Sequence, residues 1–180
     1  AEGADSDLRP LWPRDVLIEA VAAAHQVGVR VAMHTFATET IDDALEAGVD
    51  CIEHGSGMNR DQLLEAVSRG VIVDPTVCQI GTFESIAARA GKYPVYRRRM
   101  LTMHRQRFDH FGLMADVGTH IVMGTDTESE GKDRTLDVEL HAAVDAGFSA
   151  SSVIAAATYR GRSLLGLPSW EEGAPADIVV

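Results

Sequence analysis

The sequence predicts an α/β protein in which parallel strands, buried on both faces, alternate with covering helices. Three observations carry this expectation. A helix–glycine–strand unit recurs four times, each strand is a short β-branched run, and the strands end on polar residues at corresponding positions. Helix–strand alternation with short turns implies parallel strands joined by right-handed crossovers. Four units make half a (β/α) barrel or a small open sheet, because a complete eight-unit barrel takes about 250 residues.

The units follow one another along the chain. Residues 16–26 read as an amphipathic helix, followed by Gly28 and the strand 29–33, which leads to His34. Residues 41–47 form the second helix, followed by Gly48 and the strand 49–52, which leads to Glu53 and His54. Residues 63–69, Gly70 and the run 71–73 lead to Pro75 and Thr76. A fourth helix ends near Val117, and Gly118 with residues 119–123 leads to Gly124, Thr125 and Asp126. Each glycine suits the left-handed residue that closes a helix, a conformation glycine adopts at least cost. Each following apolar run fits a strand covered on both faces. The sixth residue after the four glycines is His34, His54, Thr76 and Gly124, with Asp126 two further on. These positions mark the C-terminal strand ends, where such folds gather their ligand sites.

Two stretches stand outside the repeat. Residues 79–116 form a long insertion with a loop at Gly91-Lys92-Tyr93-Pro94, read as a partial cover of the polar strand ends. After the fourth strand, 136–145 and 151–165 read as two helices, the second opening on a serine run suited to N-capping. The units and these helices make a domain over residues 1–170, and 171–180 read as the start of a further strand.

Composition limits the function classes. The chain has 180 residues, 46% hydrophobic, and a net charge of −11, which argues against a nucleic-acid partner because phosphates would be repelled. The basic run Arg97-Arg98-Arg99 reads as a solvated helix face. No apolar run approaches the roughly 18 residues of a membrane span, so no membrane partner is expected. Two cysteines, Cys51 and Cys78, are too few for a disulfide framework and read as buried thiols in a reducing, cytoplasmic compartment. The chain opens without a Met and stops inside an apparent strand, so both ends read as cut from something longer.

His34 and His54 end neighbouring strands and can converge above the sheet, where Asp126 would complete a zinc-type donor set. A bound divalent cation lowers the pKa of its water, and a carboxylate beside it can take and return the proton. Asp126 suits both the ligand and the base role. Thr76 points the same way by count and is expected to line the pocket. Thr125 and Thr127 flank Asp126 and suit an orienting role. Glu53, one residue before His54, is expected on the opposite face. His25 and His141 read as helix-surface or packing residues, His104 and His110 as helix-face residues of the insertion, and His120 as a stabilising residue at the far strand end. The acidic group Glu128, Glu130 and Asp133 reads as solvated loop charge.

The chain resembles the amidohydrolase superfamily, close to its imidazolonepropionase-like and prolidase-like members. The resemblance lies in Val31-Ala32-Met33-His34-Thr35, Ala47-Gly48-Val49-Asp50-Cys51-Ile52-Glu53-His54-Gly55, Asp74-Pro75-Thr76 and Met123-Gly124-Thr125-Asp126. Ala155–Thr158 with Leu164–Leu167, and the closing Glu172–Val180, extend it over nearly the whole chain. It implies that the four strands are the fifth to eighth of a TIM-type barrel, with the end of the chain returning to a small β-sandwich. It implies metal-dependent hydrolysis of carbon–nitrogen bonds in a small-molecule substrate: an amide, a cyclic amide or a dipeptide-like compound. His34 and His54 would match metal ligands and Asp126 a ligand that is also general base, the cofactor being one or two divalent ions, normally Zn2+. The first-strand His-x-His pair and the fourth-strand ligand of the family are absent from this sequence. The 180 residues alone are therefore expected to be inactive, and exposed barrel edges to favour a homo-oligomer. Two competing readings are a non-catalytic half-barrel that binds or assembles, and a different barrel enzyme such as a phosphate-binding isomerase. The isomerase would require a glycine-rich phosphate loop where Thr125-Asp126-Thr127-Glu128 stands.

Overall fold

A computed structural model describes residues 7–127 and 135–178. The chain runs α1 (Arg14–Gln26), β1 (Ala32–Thr35), α2 (Thr38–Ala47), β2 (Cys51–His54), α3 (Arg60–Arg69) and β3 (Ile72–Asp74). The insertion that follows is helical throughout: α4 (Val77–Gly81), α5 (Phe83–Arg89) and α6 (Pro94–Asp116). Then come β4 (His120–Ile121), α7 (Leu136–Asp145), α8 (Ala150–Ala157) and α9 (Tyr159–Leu164). The four strands form one parallel sheet in the order β1-β2-β3-β4, as a partial (β/α) barrel requires.

The repeat glycines explain how each helix turns into its strand. Gly48 and Gly70 close α2 and α3 in the left-handed region at φ 79° and 71°. A Cβ at either would meet nothing within 4 Å, so backbone conformation, not space, selects glycine there. Helix α3 starts on a capping box: Asn59 Oδ1 accepts from Gln62 N and Gln62 Oε1 accepts from Asn59 N, both at 3.0 Å. The Gln62 amide continues to Asp42 Oδ1 at 2.7 Å, which fastens α3 to α2.

Strand register sorts side chains between two faces. Ile52 pairs with Val73 and Val73 with Ile121, and all three are buried in the core against the helices. Their partners across that layer include Leu45, Leu63, Phe83, Met100, Phe111 and Met114, none more than 1% exposed. Each such side chain contributes roughly 1.5–3 kcal/mol on burial. The alternate residues face the other way in two rows. Ala32, Cys51, Ile72 and His120 form one row, and His34, Glu53 and Asp74 the next.

Several local expectations need correction. Glu53 alternates with His54 as expected, yet it pairs with His34 in register and so shares the face of His34. The expected helix 151–165 is broken at Thr158 (φ −128°, ψ −114°) into α8 and α9, while Ser149 caps α8 by accepting from Ser152 N. The fourth strand is confined to two residues. Over 171–178 there is no strand; residues 179–180, and the acidic group at 128, 130 and 133, lie outside the described residues. Cys51 and Cys78 form no disulfide and are half-buried rather than buried. Arg99 of the basic run is tied to Glu39 and Asp7, not merely solvated. Among the described residues no helix is long and apolar enough to cross a membrane.

Candidate active site

His34 is the third residue of β1 and His54 the last of β2, and register alone would set them on opposite faces, since Thr35 pairs with His54. They meet because His54 leaves the pleat. Its φ is 67°, in the left-handed region, and its ring turns to place Nε2 2.7 Å from His34 Nδ1. Among the described residues only His54, Thr76 (φ 40°) and Asp126 (φ 47°) are non-glycine residues with positive φ. His54 ends its strand, and Thr76 and Asp126 follow theirs, at the same end of the sheet. Such conformations persist where surrounding structure holds them, and they cluster at functional sites.

His54 is 3% exposed and bonded on both sides: Nδ1 lies 2.6 Å from Thr76 Oγ1, opposite the Nε2 contact to His34. Phe36 packs its ring 4.6 Å from His54 and 4.7 Å from His34, and Phe83 backs Phe36 at 4.8 Å. Burial pushes the His54 imidazole down to about 4, His34 adds to this, and Asp126 opposes it. Desolvation also holds His34 below the ordinary imidazole value, against Asp126 and Glu53. Asp126 is exposed, yet its charge reaches both rings. The four residues read from sequence are therefore brought to one end of the sheet, with His34, His54 and Thr76 in one continuous contact.

Sequence reasoning missed the groups beneath and around this trio. Asp74 accepts from Gly124 N at 3.0 Å, and burial followed by the charge of Glu53 pushes its carboxyl up to about 7. Cys51 donates to Glu53 Oε1 at 3.4 Å, and burial then Glu53 push the thiol upward. His110, read as a helix-face residue, is half-buried and bonds Gly55 O at 3.1 Å, anchoring the turn after His54 to α6. With Ser56 donating to Met103 Sδ, this seats α6 over the loop after β2, as the expected cover requires. Beside His34 lies a cavity of about 370 Å³ lined in part by Leu8, Trp12, Met33, Phe36 and Tyr96.

The donor chemistry suits a divalent metal. Two imidazole nitrogens stand 2.7 Å apart, and the far nitrogen of His54 is fixed by a hydroxyl, as ligand histidines are held by a hydrogen-bond partner. No group of three or more His, Cys, Asp or Glu close enough to hold an ion occurs among the described residues.

A four-stranded parallel sheet with polar, strained residues at its C-terminal strand ends fits a partial (β/α) barrel, a fold that gathers its ligand sites there. The comparisons narrow this: the amidohydrolase family profile matches residues 11–180, and the chain belongs to the amidohydrolase family. An uncharacterized protein of Mycobacterium tuberculosis is 32% identical over 173 residues, 96% of this chain and 47% of that protein. The crystal structure of a Xaa-Pro dipeptidase with methionine bound in its active site superposes with TM-score 0.80 at 28% identity. That match covers 96% of this chain and 44% of the dipeptidase. An amidohydrolase crystal structure superposes with TM-score 0.74 at 26% identity, covering 92% of this chain and 40% of that one. The chain spans about half the length of the curated relatives it matches.

Proposed function

We propose that this chain supplies the fifth to eighth strands of a metal-dependent amidohydrolase that cleaves carbon–nitrogen bonds in amide, cyclic amide or dipeptide-like substrates. The observation that carries the reading is the buried contact of His54 with His34 and Thr76 at 2.7 and 2.6 Å at the strand ends, within reach of the Asp126 charge. His34 and His54 would hold the ion, normally Zn2+, through Nδ1 and Nε2, with Asp126 as a further ligand. When bound, the ion acidifies water and polarises the substrate carbonyl. The chain's own residues do the rest. Thr76 orients His54, and the low imidazole value keeps the His54 ring neutral and its lone pair available near neutral pH. Asp126, open to solvent, accepts the proton of the attacking water and returns it to the leaving nitrogen. The cavity beside His34, partly apolar and of dipeptide size, supports a dipeptide-like substrate, in line with the dipeptidase neighbour.

Two imidazoles and one carboxylate leave the shell incomplete, so the 180 residues alone are expected to show no turnover. The unpaired edges at β1 and β4 favour self-association, which light scattering after gel filtration reads directly. The central test is zinc content by elemental analysis of the purified chain and of its His34→Ala and Asp126→Ala variants. Bound zinc that is lost in the variants supports the reading. A chain without zinc, unchanged in the variants, favours the non-catalytic half-barrel, and brisk amide hydrolysis by the 180 residues overturns the incomplete-shell argument.

A further inference from the structure

Helix α7 carries a buried acid with no part in the site so far. Glu139 is 1% exposed, and its carboxylate accepts the backbone N–H groups of Val77 and, at 3.0 Å, Cys78. These are the first two amides of α4, a helix whose N-cap residue, Thr76, makes no side-chain capping bond of its own. Thr76 itself is held at φ 40°, and its hydroxyl meets His54 Nδ1 at 2.6 Å. A continuous line therefore runs from Glu139 through two backbone amides to Thr76 and then to His54.

We propose that Glu139 is a positioning residue: by gripping the amides after Thr76 it fixes the Thr76 hydroxyl on His54 and so sets which ring nitrogen carries the hydrogen. In this arrangement His54 Nδ1–H donates to Thr76 Oγ1, and Nε2 turns its lone pair toward His34. A carboxylate suits the task because both of its oxygens accept, and a charged acceptor makes the stronger bonds. A glutamine of the same shape accepts from one amide and presents its NH2 group to the other. The consequence for metal binding rests on the function proposed above, but the geometry does not, and the two can fail separately.

The test is long-range proton–nitrogen NMR on the 15N-labelled, metal-free 180-residue chain, at a pH where the imidazoles are neutral. The wild type is expected to show His54 as the Nδ1–H tautomer. Glu139→Gln should shift it toward Nε2–H, and Thr76→Val should do the same while the Val77 and Cys78 amides keep their exchange protection. A wild-type ring in the Nε2–H form overturns the proposal. So does a folded Glu139→Gln chain that melts earlier yet keeps the Nδ1–H form, which would mark a merely structural acid. Should that variant fail to fold, Thr76→Val decides: an unchanged tautomer there also overturns it. Zinc titration of the same samples is read independently, since absent binding would sink the metal reading and leave the tautomer result standing.

Discussion

The depressed His54 imidazole makes stability depend on pH in a way that can be worked out and isolated. In the metal-free chain His54 titrates near 4 when folded and near 6.5 when unfolded. Above pH 6.5 both states are neutral at this site. As pH falls from 6.5 to 4, the unfolded chain takes up a proton that the folded chain refuses, which costs about 1.4 kcal/mol per pH unit and about 3 kcal/mol in all. Asp74 acts with the opposite sign: its folded value of about 7 against 3.8 gives a contribution fully present below 3.8 and lost as pH rises toward 7. Across pH 4 to 6.5 the two slopes oppose each other, so the wild type should be nearly flat as far as these two groups are concerned. Asp74→Asn removes the carboxyl titration while its amide oxygen still accepts from Gly124 N. Urea unfolding with a chelator present, on Asp74→Asn and on Asp74→Asn/His54→Gln, isolates the imidazole. The stability difference between these two should shrink by about 3 kcal/mol from pH 7 to pH 4. Parallel curves across that window would refute the buried, neutral His54.

Two close approaches around the site give further expectations. A Cβ at Gly124 would stand 2.0 Å from Asp74 Oδ2, so Gly124→Ala should cost about 1–3 kcal/mol by denaturant unfolding, and Asp74→Ala combined with it should recover part of that cost. A Cβ at Gly57 would stand 2.5 Å from Phe36 O and 2.7 Å from Thr38 N, both backbone atoms of the segment that follows β1. Gly57→Ala should cost a similar amount and broaden the NMR signals of His34 and His54, whereas Gly28→Ala, with nothing within 4 Å, should leave them unchanged.

What the sequence revealed and what it hid have separate physical reasons. The repeat was legible because a helix that must turn at once into a buried strand writes both signals locally, a left-handed glycine and a β-branched run. Counting six residues from each glycine therefore reached His34, His54 and Thr76. Register was not legible, because it depends on hydrogen bonds between segments some 20 residues apart. The count would align His34 with His54, yet the sheet pairs His34 with Glu53, so by register it is Glu53, not His54, that shares the face of His34. Only the left-handed turn at His54, invisible in a run of ordinary residues, restores the contact. Glu139 did leave a trace: it lies four residues before the fully buried Ala143, an acid on the apolar stripe of α7. His110 left none, since its partner is a backbone carbonyl 55 residues away.

The strained residues allow a test of the site that needs neither metal nor substrate. Asp126 is the clean case because it is exposed, so replacing it removes little packing. In a strand or helix, glycine is the worse substitution relative to alanine by about 0.5–1 kcal/mol, the entropy its unfolded chain keeps. At φ 47° the comparison should invert. An alanine there bears about 1–2 kcal/mol of left-handed strain that glycine escapes, so relief outweighs entropy and Asp126→Gly should be more stable than Asp126→Ala by about 1 kcal/mol. Both variants lose the same carboxylate, so its field on His34 and His54 cancels from the difference. Asp126→Asn should fall nearer the wild type, since asparagine tolerates this region. At His34, outside the group of positive-φ residues, the ordinary order should hold, with glycine below alanine. If alanine matched or exceeded glycine at Asp126, the conformation assigned to the residue after β4 would be wrong. With it would go the argument that these strand ends hold their side chains in place by stored backbone strain, because the strained positions and the chemical ones would no longer coincide.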